Sequence, residues 1–308
     1  MEKTSRIFVA GADTLIGAAI LQELDRQGYR CLVGRDEPDL TDEQAVGAFF
    51  ADEQPEYVFF AAGRSGGIGA NVRYPADLMI DNLTRQNHVI TAAFRHRTKK
   101  LLYLASSCSY PRECRQPMRE EDLLTGPLEP TNEAYAIAKI AGMKLCWAYA
   151  RQYGAPFISG IPSNVFGPGD DISLEDSHVI MALIRRMHEA KARGDRSIEI
   201  WGTGTPRRDF LFSEDLARAC LFVMDRYDGR EPINLGSGLS YSIAELAEAI
   251  RDVVGYAGEI RYDTSKPDGM PVKVLDTSRL RDLGWKPSVP FRDALEKTYE
   301  WFRRQPAP

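Results

Sequence analysis

Tyr135 and Lys139 stand four residues apart in the segment Pro130-Thr131-Asn132-Glu133-Ala134-Tyr135-Ala136-Ile137-Ala138-Lys139-Ile140-Ala141-Gly142. On a helix that spacing makes the two side chains neighbours on one face. A phenol titrates near ~10, too high for easy proton transfer at neutral pH. An ammonium beside it favours the phenolate and lowers that value, so the pair could serve as a tuned acid. Alone, Tyr-x-x-x-Lys arises often by chance, and an exposed tyrosine with a solvated lysine is the plainer reading. The segment does favour a helix: Pro130, Thr131 and Asn132 offer a start signal, and Ala138, Ala141, Leu145 and Tyr149 recur at helical spacing.

The elements before this helix decide what the pair could act on. A short apolar run from Arg6 to Ala10 leads into Gly11-Ala12-Asp13-Thr14-Leu15-Ile16-Gly17, and Ala18 to Gln27 reads as a helix. Strand, glycine turn and helix are the context of a dinucleotide fingerprint. Gly11 would allow the tight turn, Gly17 the close helix packing, and the helix N-terminus would face the pyrophosphate. Thr14 occupies the place of the usual middle glycine. A second strand is expected over 29–34. Arg35-Asp36 follows it, where an acid would read a ribose hydroxyl and an arginine a 2′-phosphate; both readings stay open. Thr41 and Gln44 suit a capping box for a helix through Ala51.

Further strands are expected at 57–62, 101–105 and 157–161, with a long helix over 77–94 between the first two. This alternation points to an α/β fold, a Rossmann-type doubly wound parallel sheet. Ligands in such sheets sit beyond the carboxyl ends of the strands, which brings Ser106, Ser107 and Cys108 to the site edge by topology. Beyond Gly167 the alternation loosens. A helix should open at Ser177-His178-Val179-Ile180, a strand cover 198–202 and Ser213 cap a helix to Asp225. A strand follows at 233–236, Ser242 and Glu245 form a capping box, and a last helix runs from Phe291 to Arg303. This reads as a smaller α/β C-terminal substrate-binding domain. The nucleotide-binding part would be 1–165 with roughly 209–236 returning to it; roughly 166–208 and 237–308 would form the other part.

Composition excludes several classes. A net charge of -5 over 308 residues argues against a nucleic-acid or anionic-membrane surface. No run approaches the ~18 apolar residues of a membrane span, and the start reads as a strand rather than a signal peptide. Cys31, Cys108, Cys114, Cys146 and Cys220 lack metal-type spacing and read as reduced thiols of a cytoplasmic protein. His88, His96, His178 and His188 do not cluster with them, so no metal site is expected.

Taken together the chain resembles the extended short-chain dehydrogenases/reductases. It is most similar within them to the GDP-L-fucose synthase family, the GDP-4-keto-6-deoxy-D-mannose 3,5-epimerase/4-reductases. The matching blocks are Ser106-Ser107-Cys108-Ser109-Tyr110-Pro111, Leu128-Glu129-Pro130-Thr131-Asn132-Glu133 with the Tyr135–Gly142 stretch, Ser177-His178-Val179-Ile180, Trp201-Gly202-Thr203-Gly204-Thr205-Pro206-Arg207-Arg208-Asp209-Phe210-Leu211 and Ser265-Lys266-Pro267-Asp268-Gly269. The resemblance implies that Ser106 holds the sugar C4 oxygen, that Tyr135 donates the proton and that Lys139 lowers its pKa and binds the nicotinamide ribose. It implies Cys108 and His178 as base and acid of epimerisation. It implies NADP as cofactor, with NAD possible. The dinucleotide would touch Gly11, Thr14, Leu15, Ile16, Gly17, Arg35, Asp39, Leu40, Leu104, Lys139, Pro162, Asn164, Val165 and His178. A GDP-sugar would meet Arg186, Trp201, Arg208 and Asp268. A homodimer is implied through helices at about 78–94 and 133–153, where the small Ala138, Ala141 and Gly142 would allow close approach.

The chain departs from that pattern at several places. Asp13 stands where the family has an arginine near the 2′-phosphate, and a carboxylate there repels it. Asp209 replaces a Glu, Phe212 a His, and Gly169-Asp170-Asp171-Ile172-Ser173 the usual His-Asp-Asn loop. A related GDP-keto-sugar, of the colitose or heptose type, is therefore an alternative substrate, and a non-catalytic nucleotide sensor an alternative role.

Overall fold

The structure, a computed structural model, describes every residue except 31, 34–36, 174–176, 267 and 306–308, and the side chains of Leu32, Val33 and Ile68 lie outside what it describes. Six parallel strands form its centre: β1 (Ile7–Ala10), β2 (Leu32–Val33), β3 (Tyr57–Phe60), β4 (Lys100–Leu104), β5 (Phe157–Pro162) and, far later in the chain, β10 (Ile233–Leu235). Their order is β10-β5-β4-β3-β1-β2. Strands buried on both faces need continuous apolar runs, and β1, β4 and β5 are buried at every position.

Helices cover both faces. On one side α1 (Leu15–Arg26) and α7 (Ser213–Arg226) bury Ile20, Leu24, Leu216 and Cys220 against the sheet. On the other, α2 (Glu43–Glu53), α4 (Pro75–Arg95) and α5 (Glu133–Tyr153) bury Val46, Phe50, Val89, Ile90, Ile140 and Met143. A six-residue helix, α3 (Ile68–Arg73), follows the glycine-rich stretch after β3. Among the described residues no helix is long and apolar enough to cross a membrane.

The remaining elements gather around a third core. With the exception of α9 (Ser278–Asp282), which buries Leu280 in the core with α1 and α7, they are β6 (Asn164–Phe166), α6 (Val179–Arg193), β7 (Ser197–Trp201), β8 (Arg207–Arg208), β9 (Phe210–Phe212), β11 (Tyr241–Ser242), α8 (Ile243–Val254), β12 (Glu259–Asp263), β13 (Val272–Lys273) and α10 (Phe291–Phe302). Ile184, Met187, Leu246, Ile250 and Leu295 are its buried centre.

One buried relay fixes the helix that carries Tyr135. Tyr103 Oη donates to Gln86 Oε1 at 2.7 Å, and Gln86 Nε2 donates to the Ala138 carbonyl at 2.9 Å. Gly142 lets α5 lie this close, because a Cβ there would stand 2.3 Å from Tyr103 Cζ. Ala138 and Gly142 are thus used up inside the chain rather than offered to a second copy, which corrects the reason given for a close helix pair between subunits.

Asn234, fully buried in β10, is a second tie. It accepts from Tyr110 Oη at 2.6 Å and donates Nδ2 to the carbonyls of Met118 and Asp276 at 3.0 Å each.

Several caps differ from expectation. Asp42, not a Thr41–Gln44 box, starts α2: its carboxylate accepts from the Gln44 and Ala45 amides, a shorter reach than Thr41 has. Ser213 is the first residue of α7 and Phe212 its cap. The Ser242–Glu245 capping box is present.

Candidate active site

At the carboxyl ends of the strands lies a cavity of about 480 Å³, within the usual range for a small-molecule site. It is lined by Ser106 and Cys108 after β4, Tyr135 and Lys139 on α5, His178 at the start of α6, and Thr14, Leu15 and Ile16 at the head of α1. Leu104, Pro162, Asn164 and Val165 line it too. Residues from five separate stretches are thereby brought to one space.

The glycine loop is built for close approach. Gly11 has φ +82, and a Cβ on Gly17 would lie 1.9 Å from the Gly11 carbonyl oxygen. Thr14, the oddity of the motif, is the N-cap of α1. Its Oγ1 accepts from the Gly17 amide at 3.0 Å and donates to the Gly11 carbonyl at 2.7 Å. The helix start therefore still faces the cavity, as anion binding requires.

Tyr135 and Lys139 meet the cavity in a form the sequence did not anticipate. Burial pushes the Tyr135 phenol well above its ordinary range, the nearby Cys108 adds to this, and a hydrogen bond with Ser106 opposes it. Lys139 is not the group that lowers it: its Nζ lies 5.9 Å from the Tyr135 ring and donates to the Leu104 carbonyl at 3.3 Å. Burial holds the Lys139 ammonium down at about 8. The expectation of a lysine-lowered phenol is thus corrected: desolvation sets the direction of the Tyr135 shift.

Cys108 has two partners that the motifs did not reveal. Asn132 Nδ2 approaches its Sγ at 3.3 Å and Lys273 Nζ at 3.4 Å. Asn132 caps α5 by position but spends its side chain on the thiol. Lys273 comes from β13, 165 residues away in sequence, and no local pattern could have flagged it. His178 has a partner as well: Nδ1 faces Asp170 Oδ1 at 3.4 Å. The hydrogen bond with Asp170 holds the imidazole above its usual range, burial opposes this, Asp171 adds to it and Lys273 subtracts. Asp170 lies in the loop that departs from the family pattern.

Other expected residues lie elsewhere. Leu40 is 2% exposed in the core, and Asp39 folds onto Thr41 through a 2.7 Å hydrogen bond. Neither lines the cavity. Arg35 and Asp36 lie outside the described residues. Arg186 donates to the Glu199 carbonyl. Trp201, Arg208 and Asp268 form a second cluster. Asp268 accepts from the Thr203 amide at 2.9 Å and hydroxyl at 2.7 Å, and it packs on Gly202. Arg208 donates to the Met270 carbonyl at 2.6 Å. Trp201 is 68% exposed beside Lys266.

The cavity suits a nicotinamide dinucleotide. It runs from the α1 N-terminus to the Tyr135–Lys139 pair, and on its wall Asn132 Oδ1 and Asp170 Oδ2 are buried without partners among the described residues. Buried polar atoms of this kind call for a ligand or water.

A glycine-loop parallel sheet whose Ser, Tyr and Lys converge beyond the strand ends defines a dinucleotide-dependent oxidoreductase of the short-chain dehydrogenase type. The chain belongs to the NAD dependent epimerase/dehydratase family, whose model matches residues 7–236. It is 51% identical to GDP-L-fucose synthase 1 of Arabidopsis thaliana, over 98% of this chain and 94% of that one. Among solved structures it is similar to a GDP-L-fucose synthetase from Naegleria fowleri bound to NADP, with 30% identity, a TM-score of 0.90 and coverage of 98% and 95%. It is also similar to a GDP-D-glycero-L-gluco-heptose synthase from Campylobacter jejuni solved in the presence of NADPH, with 34% identity, a TM-score of 0.92 and coverage of 98% and 99%.

Proposed function

We propose that this chain converts GDP-4-keto-6-deoxy-D-mannose to GDP-L-fucose by 3,5-epimerisation followed by reduction of the 4-ketone with NADPH. The observation that carries the reading is one cavity holding two kinds of chemistry, Cys108 with His178 and Ser106 with Tyr135 and Lys139. A simple reductase would need only the second set.

The residues divide the work as follows. A proton on a carbon flanking the ketone is acidic because its loss gives an enolate. The Cys108 sulfur takes that proton, with Lys273 and Asn132 as its polar neighbours. His178, whose hydrogen bond with Asp170 favours the protonated imidazole, returns one to the opposite face. Ser106 and Tyr135 hold the C4 oxygen in both stages, where charge develops. A reduced nicotinamide, when bound, would supply the hydride; Tyr135 would give the oxygen its proton and Lys139 would hold the nicotinamide ribose. Arg208 and Arg186 suit the diphosphate, Trp201 an apolar face of the nucleotide and Asp268 its polar groups.

In this reading 1–165 and 209–236 hold the dinucleotide, and 166–208 and 237–308 the GDP-sugar. The enzyme is a homodimer in the cytoplasm, a compartment that keeps such thiols reduced. Ile80 at 61% and Ile137 at 40% exposure, on α4 and α5, supply the apolar face for pairing. The same chemistry on a GDP-heptose is the second reading, supported by the likeness to the heptose synthase.

The test follows NADPH absorbance and deuterium uptake from solvent over a panel of GDP-4-keto-sugars. GDP-4-keto-6-deoxy-mannose should be reduced with label at C3 and C5, and Cys108→Ser should slow label uptake by about a hundredfold or more. Unchanged uptake would remove Cys108 as the base. Reduction of a heptose alone would favour the second reading, and no turnover of any sugar would leave a nucleotide sensor.

A further inference from the structure

Among the described residues the Cys108 sulfur has two hydrogen-bond donors, the neutral Asn132 amide at 3.3 Å and the charged Lys273 ammonium at 3.4 Å. Asn132 stands at the head of α5, next to the reductive pair. Lys273 comes from β13, among the elements of the third core.

Lys273 is not a freely swinging surface lysine. It is half-buried and lines the cavity. Its strand pairs with β8, Lys273 opposite Arg208, and the Asp209 amide donates to the Lys273 carbonyl at 3.2 Å. The next residue is tied as well: the Val274 amide donates to Gln116 Oε1 at 3.0 Å, and its carbonyl accepts from the Met118 amide at 2.8 Å. The thiol is equally fixed. The Cys108 amide donates to Ser106 Oγ at 3.2 Å, which ties the sulfur to the hydroxyl that would hold the C4 oxygen.

A thiol titrates near ~8.5 and mostly keeps its proton at neutral pH, a form that cannot take another. A cation in contact favours the proton-free sulfur. Other groups share the space. From α5, Tyr135 and sulfur oppose each other's ionisation, and Lys139 lines the same wall. From the head of α6 and the loop before it come His178, Asp170 and Asp171. Lys273 also opposes a positive charge on His178. Removing Lys273 therefore favours the proton on the acid, and any loss of epimerisation arises at the base.

We propose that Lys273 is a positioning residue for epimerisation alone, its ammonium holding the Cys108 sulfur in the proton-free form that can act as base. In the step it serves, a C–H bond beside the ketone breaks, an S–H bond forms and the electron pair moves to the C4 oxygen. Hydride transfer makes no call on it. The claim rests on the epimerase reading above.

The test incubates the full chain with NADP+ and GDP-4-keto-6-deoxy-mannose in deuterated buffer, so that no reduction follows, and reads label in the sugar by mass. Lys273→Met should slow uptake by about tenfold at neutral pH. Lys273→Arg, which keeps the charge, should stay within about fivefold of the parent. The deficit of Lys273→Met should close as the pH rises to about 9.5, where an ordinary thiol is already ionised. Oxidation of GDP-L-fucose by NADP+, the hydride step in reverse, should stay within about twofold. Equal uptake by parent and variant, a deficit that is the same at every pH, or an equal loss of GDP-L-fucose oxidation overturns the role of Lys273 and leaves the enzyme reading standing. Lys273→Gln carries the same readouts if Lys273→Met fails to fold. No label uptake by the parent overturns the epimerase reading and this claim with it.

Discussion

The cavity beyond the sheet and the Trp201–Arg208–Asp268 cluster differ in how finished they are. Around the cavity the chemical groups are tied to the scaffold: the buried Lys139 to the Leu104 carbonyl, the half-buried Cys108 to Asn132 and Lys273, and α5 to the sheet through Tyr103 and Gln86. In the second cluster Trp201 projects into solvent and Asp268 occupies itself with Thr203. Groups that move protons must be preset to fractions of an ångström. Groups that recognise a large ligand can afford to wait for it, since binding energy supplies the ordering.

The sharpest way to break this contrast is Tyr135→Phe. If the preset end performs the chemistry, reduction should fall by about a thousandfold or more, while label uptake at the sugar carbons persists and the dinucleotide still binds. Full reduction by the variant would show that the proton comes from another group.

Lys139 tests the cost of presetting. Its ammonium titrates at about 8 in the fold and at 10.5 in the unfolded chain, so the folded state holds the proton less tightly. The resulting destabilisation is complete below about pH 8 and fades as the pH rises from 8 to 10.5. Lys139→Met should therefore stabilise the unliganded protein at neutral pH by about 3 kcal/mol, with the gain shrinking above pH 8. Thermal melts of both proteins across that range read the difference directly. A constant gap would mean that the lysine is not strained by its surroundings.

Trp201→Ala should give the smallest effect and the opposite signature. Because Trp201 is mostly exposed, melting should barely change, while KM for the GDP-sugar rises about tenfold with kcat nearly constant. A fall in kcat of equal size would place Trp201 with the preset groups instead.

What the sequence disclosed follows the same division. The strand-glycine-helix start, the parallel alternation and the Tyr135–Lys139 spacing are local patterns, and all three are present in the fold. The state of the pair was not legible, because desolvation depends on what α5 packs against. Lys273 and Asp170 were hidden because their roles come from strands and loops that meet only after folding. Glu37 was not singled out by any motif, and its carboxylate accepts from the Gly11 amide only because the chain after the second strand folds back onto the glycine loop. Thr14 misled in the other direction. Its hydroxyl does by capping what the motif usually leaves to a glycine turn.

Asn234 has a consequence for how the molecule is made. Its side chain joins stretches near residues 110, 118 and 276, and its strand completes one edge of the central sheet beside β5. A nascent chain leaving the ribosome must hold β5 with an open flank until residue 235 has been synthesised, and that flank stays loosely fastened until residue 276 follows. Ribosome-stalled chains ending before and after these two points should differ stepwise in protease resistance, with the larger gain at the first.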